Sequence, residues 1–223
     1  MLLYYITDRT AFPGDEATRC RLLLEKITEA ARCGVDYVQL RERELSTRDL
    51  ESLAREAAHA VRENAQPRTG NQELRTLLFI NSRSDVALAV GAGGVHLRSD
   101  DISAADARAM WKRRAGALAR AVVGVSCHTI AEVGKAEQQG ADFAVFAPVF
   151  EKKDAPSVRS TGIYALGQAC RHKIPVLALG GVTLENASAC LGVGAAGIAG
   201  IRLFQENDVA AVVSALRRLA SAP

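Results

Sequence analysis

The residues best suited to chemistry in this chain fall into a few short stretches. Gln39, Arg41 and Arg43 alternate through YVQLRER. On a strand that spacing sends their side chains the same way, and each guanidinium can grip a carboxylate or phosphate through two parallel N–H bonds. The competing reading is an ion-pair network with the interleaved Glu42 and Glu44. His128 follows Ser126-Cys127, and imidazole is the side chain suited to taking and returning a proton near neutral pH. Its competing reading is a solvent-facing residue at a helix start. Gly180-Gly181 tolerates positive φ and brings backbone N–H groups to an anion with no Cβ between them. A tight turn explains an isolated Gly-Gly equally well, so its place in the chain must decide.

Those residues need a scaffold, and the apolar runs describe one. Strands are predicted over 2–6, 37–41, 76–80, 94–97, 121–126, 142–148, 175–179 and 197–201. They are short and apolar throughout, as parallel strands covered on both faces should be. Helical patterns lie between them: 17–33, a helix from the Ser46 cap to about 64, 84–90, a helix from the Ser103 cap to about 114, 130–139, 162–171, one starting at Leu184 or Glu185, and 208–220. The polar stretch 65–73 reads as a surface loop. Eight alternating units predict an α/β protein of the (β/α)8 barrel type, a single domain over 1–223. An open sheet is the alternative. In a barrel the site gathers at the C-terminal ends of the strands, and phosphate sits by the loops after strands seven and eight. That places Gln39, Arg41, Arg43, Asn81, Asp101, Ser126, His128, Lys152, Gly180, Gly181, Ile201 and Arg202 around one mouth. His96, inside the fourth strand, reads as a packed barrel residue.

Composition narrows the class. A net charge of +3 calls for neither nucleic acid nor a membrane surface as partner. No apolar run approaches membrane-span length, and MLLYYITDR has no secretory pattern. Five cysteines with no CxxC read as reduced thiols in a cytoplasmic protein. A homo-oligomer is compatible with all of this.

Taken in order, YYITDR, YVQLRER, FINSRSDVALAVGAGGVHL, VVGVSCHTIAEVGKAEQQGADFAVFAPVF, IPVLALGGVTLENA and GAAGIAGI resemble the thiamine phosphate synthase and TenI superfamily across nearly the whole chain. The resemblance implies a (β/α)8 barrel that binds a thiazole phosphate. One branch, the synthase, joins it to a pyrimidine diphosphate with Mg2+ and loss of pyrophosphate. The other, the TenI-type tautomerase, moves a proton on the thiazole carboxylate phosphate and implies no cofactor. The synthase pattern has Asn-Asp where this chain has Asn81-Ser82, a Gln where it has Ser99, and a Thr-x-Thr-Lys after strand six that EKKDAPSVRSTG lacks. Asp101 keeps the second metal carboxylate, which alone makes a weak Mg2+ site. LRER, VFE and the His after strand five resemble the tautomerase branch. The favoured expectation is therefore a tautomerase. His128 acts as acid and base, and Arg41 or Arg43 holds the carboxylate. Gln39, Asn81, Ser126 and Lys152 line the site, while Gly180, Gly181, Ile201 and Arg202 hold the phosphate. The alternatives are a synthase with a degenerate metal site and a non-catalytic phosphate-ligand binder.

Overall fold

The computed structural model describes residues 1–65, 76–115, 121–151 and 160–221. Eight parallel strands close on themselves in sequence order. They are β1 (Leu2–Ile6), β2 (Tyr37–Leu40), β3 (Leu77–Asn81), β4 (Gly94–Leu97), β5 (Val122–Cys127), β6 (Phe143–Phe146), β7 (Val176–Ala178) and β8 (Gly197–Gly200). The seam pairs Leu2 with Gly197 and Tyr5 with Gly200, so the first and last strands share a ladder. The closed barrel is the expected architecture.

Helices cover the strands: α1 (Glu16–Arg32), α2 (Thr47–Asn64), α3 (Ser84–Val90), α4 (Ala104–Ala115), α5 (Ile130–Gln138), α6 (Gly162–Ala169), α7 (Ala187–Gly192), α8 (Arg202–Gln205) and α9 (Val209–Ser221). Side-chain caps start several of them. Asp15 accepts from Thr18 N–H (2.9 Å), Ser46 from Asp49 N–H (3.2 Å), and Thr129 and Glu132 cap each other's backbone in a capping box. Two departures from expectation have local causes. Helix α7 begins at Ala187, because Asn186 first closes a turn, accepting from Thr183 N–H (2.8 Å) and donating to the Gly181 carbonyl (2.9 Å). Helix α8 has four residues, too few for hydrophobic periodicity to announce it.

Strand alternation divides the core. Val38, Leu40, Ile80, Val95, Val123, Val125, Cys127 and Ile198 face the helix layer. Tyr4, Ile6, Phe79, Phe143, Val145, Leu177 and Ala199 fill the barrel. Tyr4 meets Phe79 and Phe143 edge-on, with ring centroids 5.6 and 5.5 Å apart. Glycines make room for these rings: a Cβ on Gly94 would fall 2.6 Å from Phe79, and one on Gly124 would fall 2.4 Å from Phe143. The lower barrel is thus packed solid with side chains, as the interior of this fold usually is.

Candidate active site

The inward positions at the tops of β2, β3 and β5 are polar where those below them are aromatic or apolar. Gln39 Nε2 donates to Asn81 Oδ1 (2.9 Å), and Asn81 Nδ2 donates to Ser82 Oγ (3.2 Å). Gln39 is 2% exposed, and its Oε1 has no hydrogen-bond partner among the described residues. A buried amide oxygen left bare is costly unless something else satisfies it. Ser82 is the one non-glycine residue at positive φ (59°) among the described residues. Half-buried Ser126 stands on β5 with its Oγ 2.8 Å from His96 Nε2.

His128 lies just past β5, exposed, on the inward parity that Ser126 sets. Its Nδ1 is 2.8 Å from the Ala147 carbonyl at the top of β6. A carbonyl only accepts, so Nδ1 carries the hydrogen and the neutral ring keeps its lone pair on Nε2. Neighbouring Cys127 faces the helix layer instead, and burial pushes its thiol up to about 12. It is therefore no proton carrier at neutral pH.

The sequence pattern left open whether Glu42 and Glu44 pair with Arg41 and Arg43. Both carboxylates bind Arg9 instead. Glu42 accepts from the Thr7 hydroxyl (2.5 Å), from Arg9 N–H (3.1 Å) and from Arg9 Nη1 (3.4 Å). Burial holds its carboxyl above the usual range, against the pull of those hydrogen bonds. Thr7 Oγ1 also accepts from Arg41 N–H (3.0 Å), so this knot fixes the backbone from which Arg41 projects. Arg41 is half-buried at the mouth and Arg43 exposed in the turn beyond. Arg9 and Thr7 are site-building residues that sequence reasoning missed. The available signal was parity: Glu42 shares the helix-facing side of Val38 and Leu40, where a carboxylate needs partners.

Gly180 and Gly181 follow β7 at φ 93° and 65°. A Cβ on Gly180 would fall 2.7 Å from Pro148 Cα, and one on Gly181 would fall 2.6 Å from the Glu151 carbonyl oxygen. The pair therefore lies against the segment after β6, whose Phe150 N–H donates to the Gly180 carbonyl (2.9 Å). No acceptor among the described residues takes the N–H of Gly180 or Gly181. Ile201 is half-buried beside the barrel interior, and Arg202 is exposed at the start of α8. Lys152 lies outside the described residues.

Asp101 is half-buried after β4 and closes a ring with Arg98, accepting from Arg98 N–H (2.8 Å) and Nε (3.4 Å). Among the described residues no three His, Cys, Asp or Glu side chains converge for a metal. Magnesium takes oxygen ligands, commonly one or two carboxylates with phosphate oxygens. One carboxylate already tied to a guanidinium, with a serine at 82, does not make a protein-built magnesium site.

The model of the family described as thiamine monophosphate synthase matches residues 3–204. The chain belongs to the thiamine monophosphate synthase family. Membership makes it an enzyme of thiamine biosynthesis. It is 35% identical to a putative thiamine-phosphate synthase 2 of Aquifex aeolicus, covering 92% of this chain and 97% of that one. It is 34% identical to a thiamine-phosphate synthase of Syntrophomonas wolfei, covering 97% and 95%. A thiamine phosphate pyrophosphorylase of Pyrococcus furiosus superposes with a TM-score of 0.76 at 30% identity, covering 99% of this chain and 95% of that one. No helix of the described residues is long and apolar enough to cross a membrane.

Proposed function

We propose that this family member binds a thiazole phosphate across the barrel mouth and shifts a proton on it, as a tautomerase. The tethered imidazole carries this reading. With Nδ1 committed to the Ala147 carbonyl, His128 Nε2 is the atom able to take a proton from one ring position and return it at another. Arg41 or Arg43 would hold the ligand's carboxylate, and Gln39, Asn81 and Ser126 would face its ring. The Gly180 and Gly181 N–H groups, which have no acceptor among the described residues, would hold the phosphate with the Ile201-Arg202 turn. No step of this chemistry draws on a metal. A cytoplasmic setting fits such a small-molecule enzyme.

A second reading has its own support. The relatives named above carry the name thiamine-phosphate synthase or pyrophosphorylase. That activity would bring a pyrimidine diphosphate to the same mouth, with Mg2+ held by Asp101 and the substrate's own oxygens. Against it stand Ser82 and the Asp101–Arg98 ring.

The deciding experiment incubates the protein with the thiazole carboxylate phosphate tautomer, with and without pyrimidine diphosphate and Mg2+. Products are identified by NMR. The tautomerase reading expects the aromatic isomer in the presence of EDTA, and expects His128→Asn to slow it by roughly a hundredfold or more while affinity holds. Thiamine phosphate formed only with Mg2+ establishes the synthase instead. Binding without turnover marks a non-catalytic relative.

A further inference from the structure

The reading above does not use a histidine buried directly beneath the site. His96 is 2% exposed on β4, and both of its ring nitrogens are engaged. Nδ1 is 3.1 Å from the Tyr4 hydroxyl and Nε2 is 2.8 Å from the Ser126 hydroxyl. Tyr4 is 0% exposed, packed among Tyr37, Phe79 and Phe143. Its phenolic proton needs an acceptor there, since an unsatisfied buried donor costs about 1–3 kcal/mol. Among the described residues His96 Nδ1 is the acceptor within reach. If Tyr4 donates to Nδ1, the neutral ring carries its hydrogen on Nε2, and Nε2–H donates to Ser126 Oγ. The reverse arrangement strands the Tyr4 proton in the aromatic core. A charged imidazolium strands it as well, and burial drives His96 down to about 3, against a small opposing pull from Asp101.

We infer that Tyr4 and His96 are positioning residues that fix Ser126 as a hydrogen-bond donor toward the barrel mouth, so that the bound ligand presents an acceptor atom to it. Ser126 Oγ takes its own hydrogen bond from below and turns its O–H upward. Among the described residues only His96 Nε2 lies within hydrogen-bond reach of Ser126 Oγ, so no group there takes the serine proton and a role as base is disfavoured. The acceptor is a lone-pair atom of the ligand, such as a ring nitrogen or a carboxylate oxygen. That identification of the ligand rests on the proposed thiazole phosphate. The polarity of the chain from Tyr4 to Ser126 does not.

Two measurements test it. In the full-length protein labelled with 15N-histidine, long-range 1H–15N spectra assign the tautomer of each of the four histidines. His59→Gln, His128→Asn and His172→Gln identify His96 by elimination, without touching the barrel core. The expected spectrum has an unprotonated-type Nδ1 and a protonated-type Nε2 for His96. The Nδ1–H tautomer, or an imidazolium at pH 7, overturns the inference. Separately, calorimetry with hydroxyethylthiazole phosphate and with its 2-carboxylate should show Ser126→Ala weakening at least one of the two by about tenfold, or 1.4 kcal/mol. Ser126→Thr, which keeps the O–H, should stay within about threefold of wild type. Equal affinity for wild type and Ser126→Ala with both compounds overturns the ligand contact. A wild-type protein that binds neither compound defeats the thiazole reading, and the tautomer measurement still decides the polarity of Ser126.

Discussion

His96 should leave a mark on acid stability that follows from its burial. Its folded value lies near 3, against 6.5 for the free side chain. Below pH 6.5 the unfolded chain therefore binds a proton that the folded chain refuses. The stability this group contributes is complete above pH 6.5 and is lost as pH falls. The loss approaches about 1.4 kcal/mol per pH unit once the unfolded histidine is protonated. Urea titrations of wild type and His96→Asn at pH 7, 6 and 5 check it. The variant should show a shallower fall, and parallel curves would mean that His96 is not held neutral by the fold. Position 82 carries a second residue-scale expectation. Ser82 already occupies the left-handed region, which Asp tolerates better than most residues. Ser82→Asp should accept the backbone and place a carboxylate beside Asn81, so Mg2+ affinity measured by calorimetry should rise. Unchanged affinity would mean that position 82 and Asp101 do not share a cation.

At the level of elements, the strands were legible because each is apolar on its helix-facing side and, below the mouth, on its inner side too, and β1 and β4 coincide with the sequence reading residue for residue. What escaped lay in contacts between distant segments. Arg9 and Glu42 stand 33 positions apart, and no pattern in either stretch joins them. His128 was legible as a residue at the mouth, but its tether to Ala147 was not, because that depends on how β5 and β6 end side by side. The Arg9–Glu42 knot joins the tops of β1 and β2. Glu42→Ala would leave the buried Thr7 hydroxyl and the Arg9 N–H without their acceptor, at a cost of about 1–3 kcal/mol, while the Arg9 guanidinium keeps Glu16 and Glu44. Glu42→Gln, which keeps an acceptor for Thr7 and Arg9 N–H, should lose less. Chemical denaturation orders the two, and equal losses would show that the charge, rather than the acceptor, holds the knot. The glycine turn calls for similar care. The sequence alone suggests Gly181→Val as a clean test of phosphate binding, yet its Cβ would meet the Glu151 carbonyl at 2.6 Å and occupy φ 65°. The substitution should lower Tm as well as affinity.

The whole molecule is tied together where its ends meet. Beyond the β1–β8 ladder, α9 reaches the first quarter of the chain at several points. Its first N–H, on Val209, donates to Glu29 of α1 (2.9 Å), and Val209, Val212, Val213 and Leu216 enter the helix-layer core. Near its other end Arg217 bonds the carbonyls of Met1 and Gly34 and reaches Asp36 Oδ2 at 2.7 Å. That oxygen also accepts from Leu3 N–H at 2.7 Å, so a single buried carboxylate links β1, the approach to β2 and the last helix. A barrel closed in this way has no natural place to divide. We therefore expect the chain to unfold as one domain in a single transition, although chains of this length often populate intermediates. Arg217→Ala probes that closure. Asp36 keeps the Leu3 N–H but loses the Arg217 guanidinium, and Arg217 is 28% exposed, so the cost should sit below that of a fully buried pair, at about 2–3 kcal/mol. For a chain of this size that amounts to a Tm lower by roughly 5–10 °C. If the ends of the chain are one cooperative unit with the rest, the calorimetric peak moves without splitting, and far-UV and tyrosine signals still coincide. A variant that shows two transitions, with α9 released in the first, would make the last helix a separable attachment and the single-domain proposal wrong.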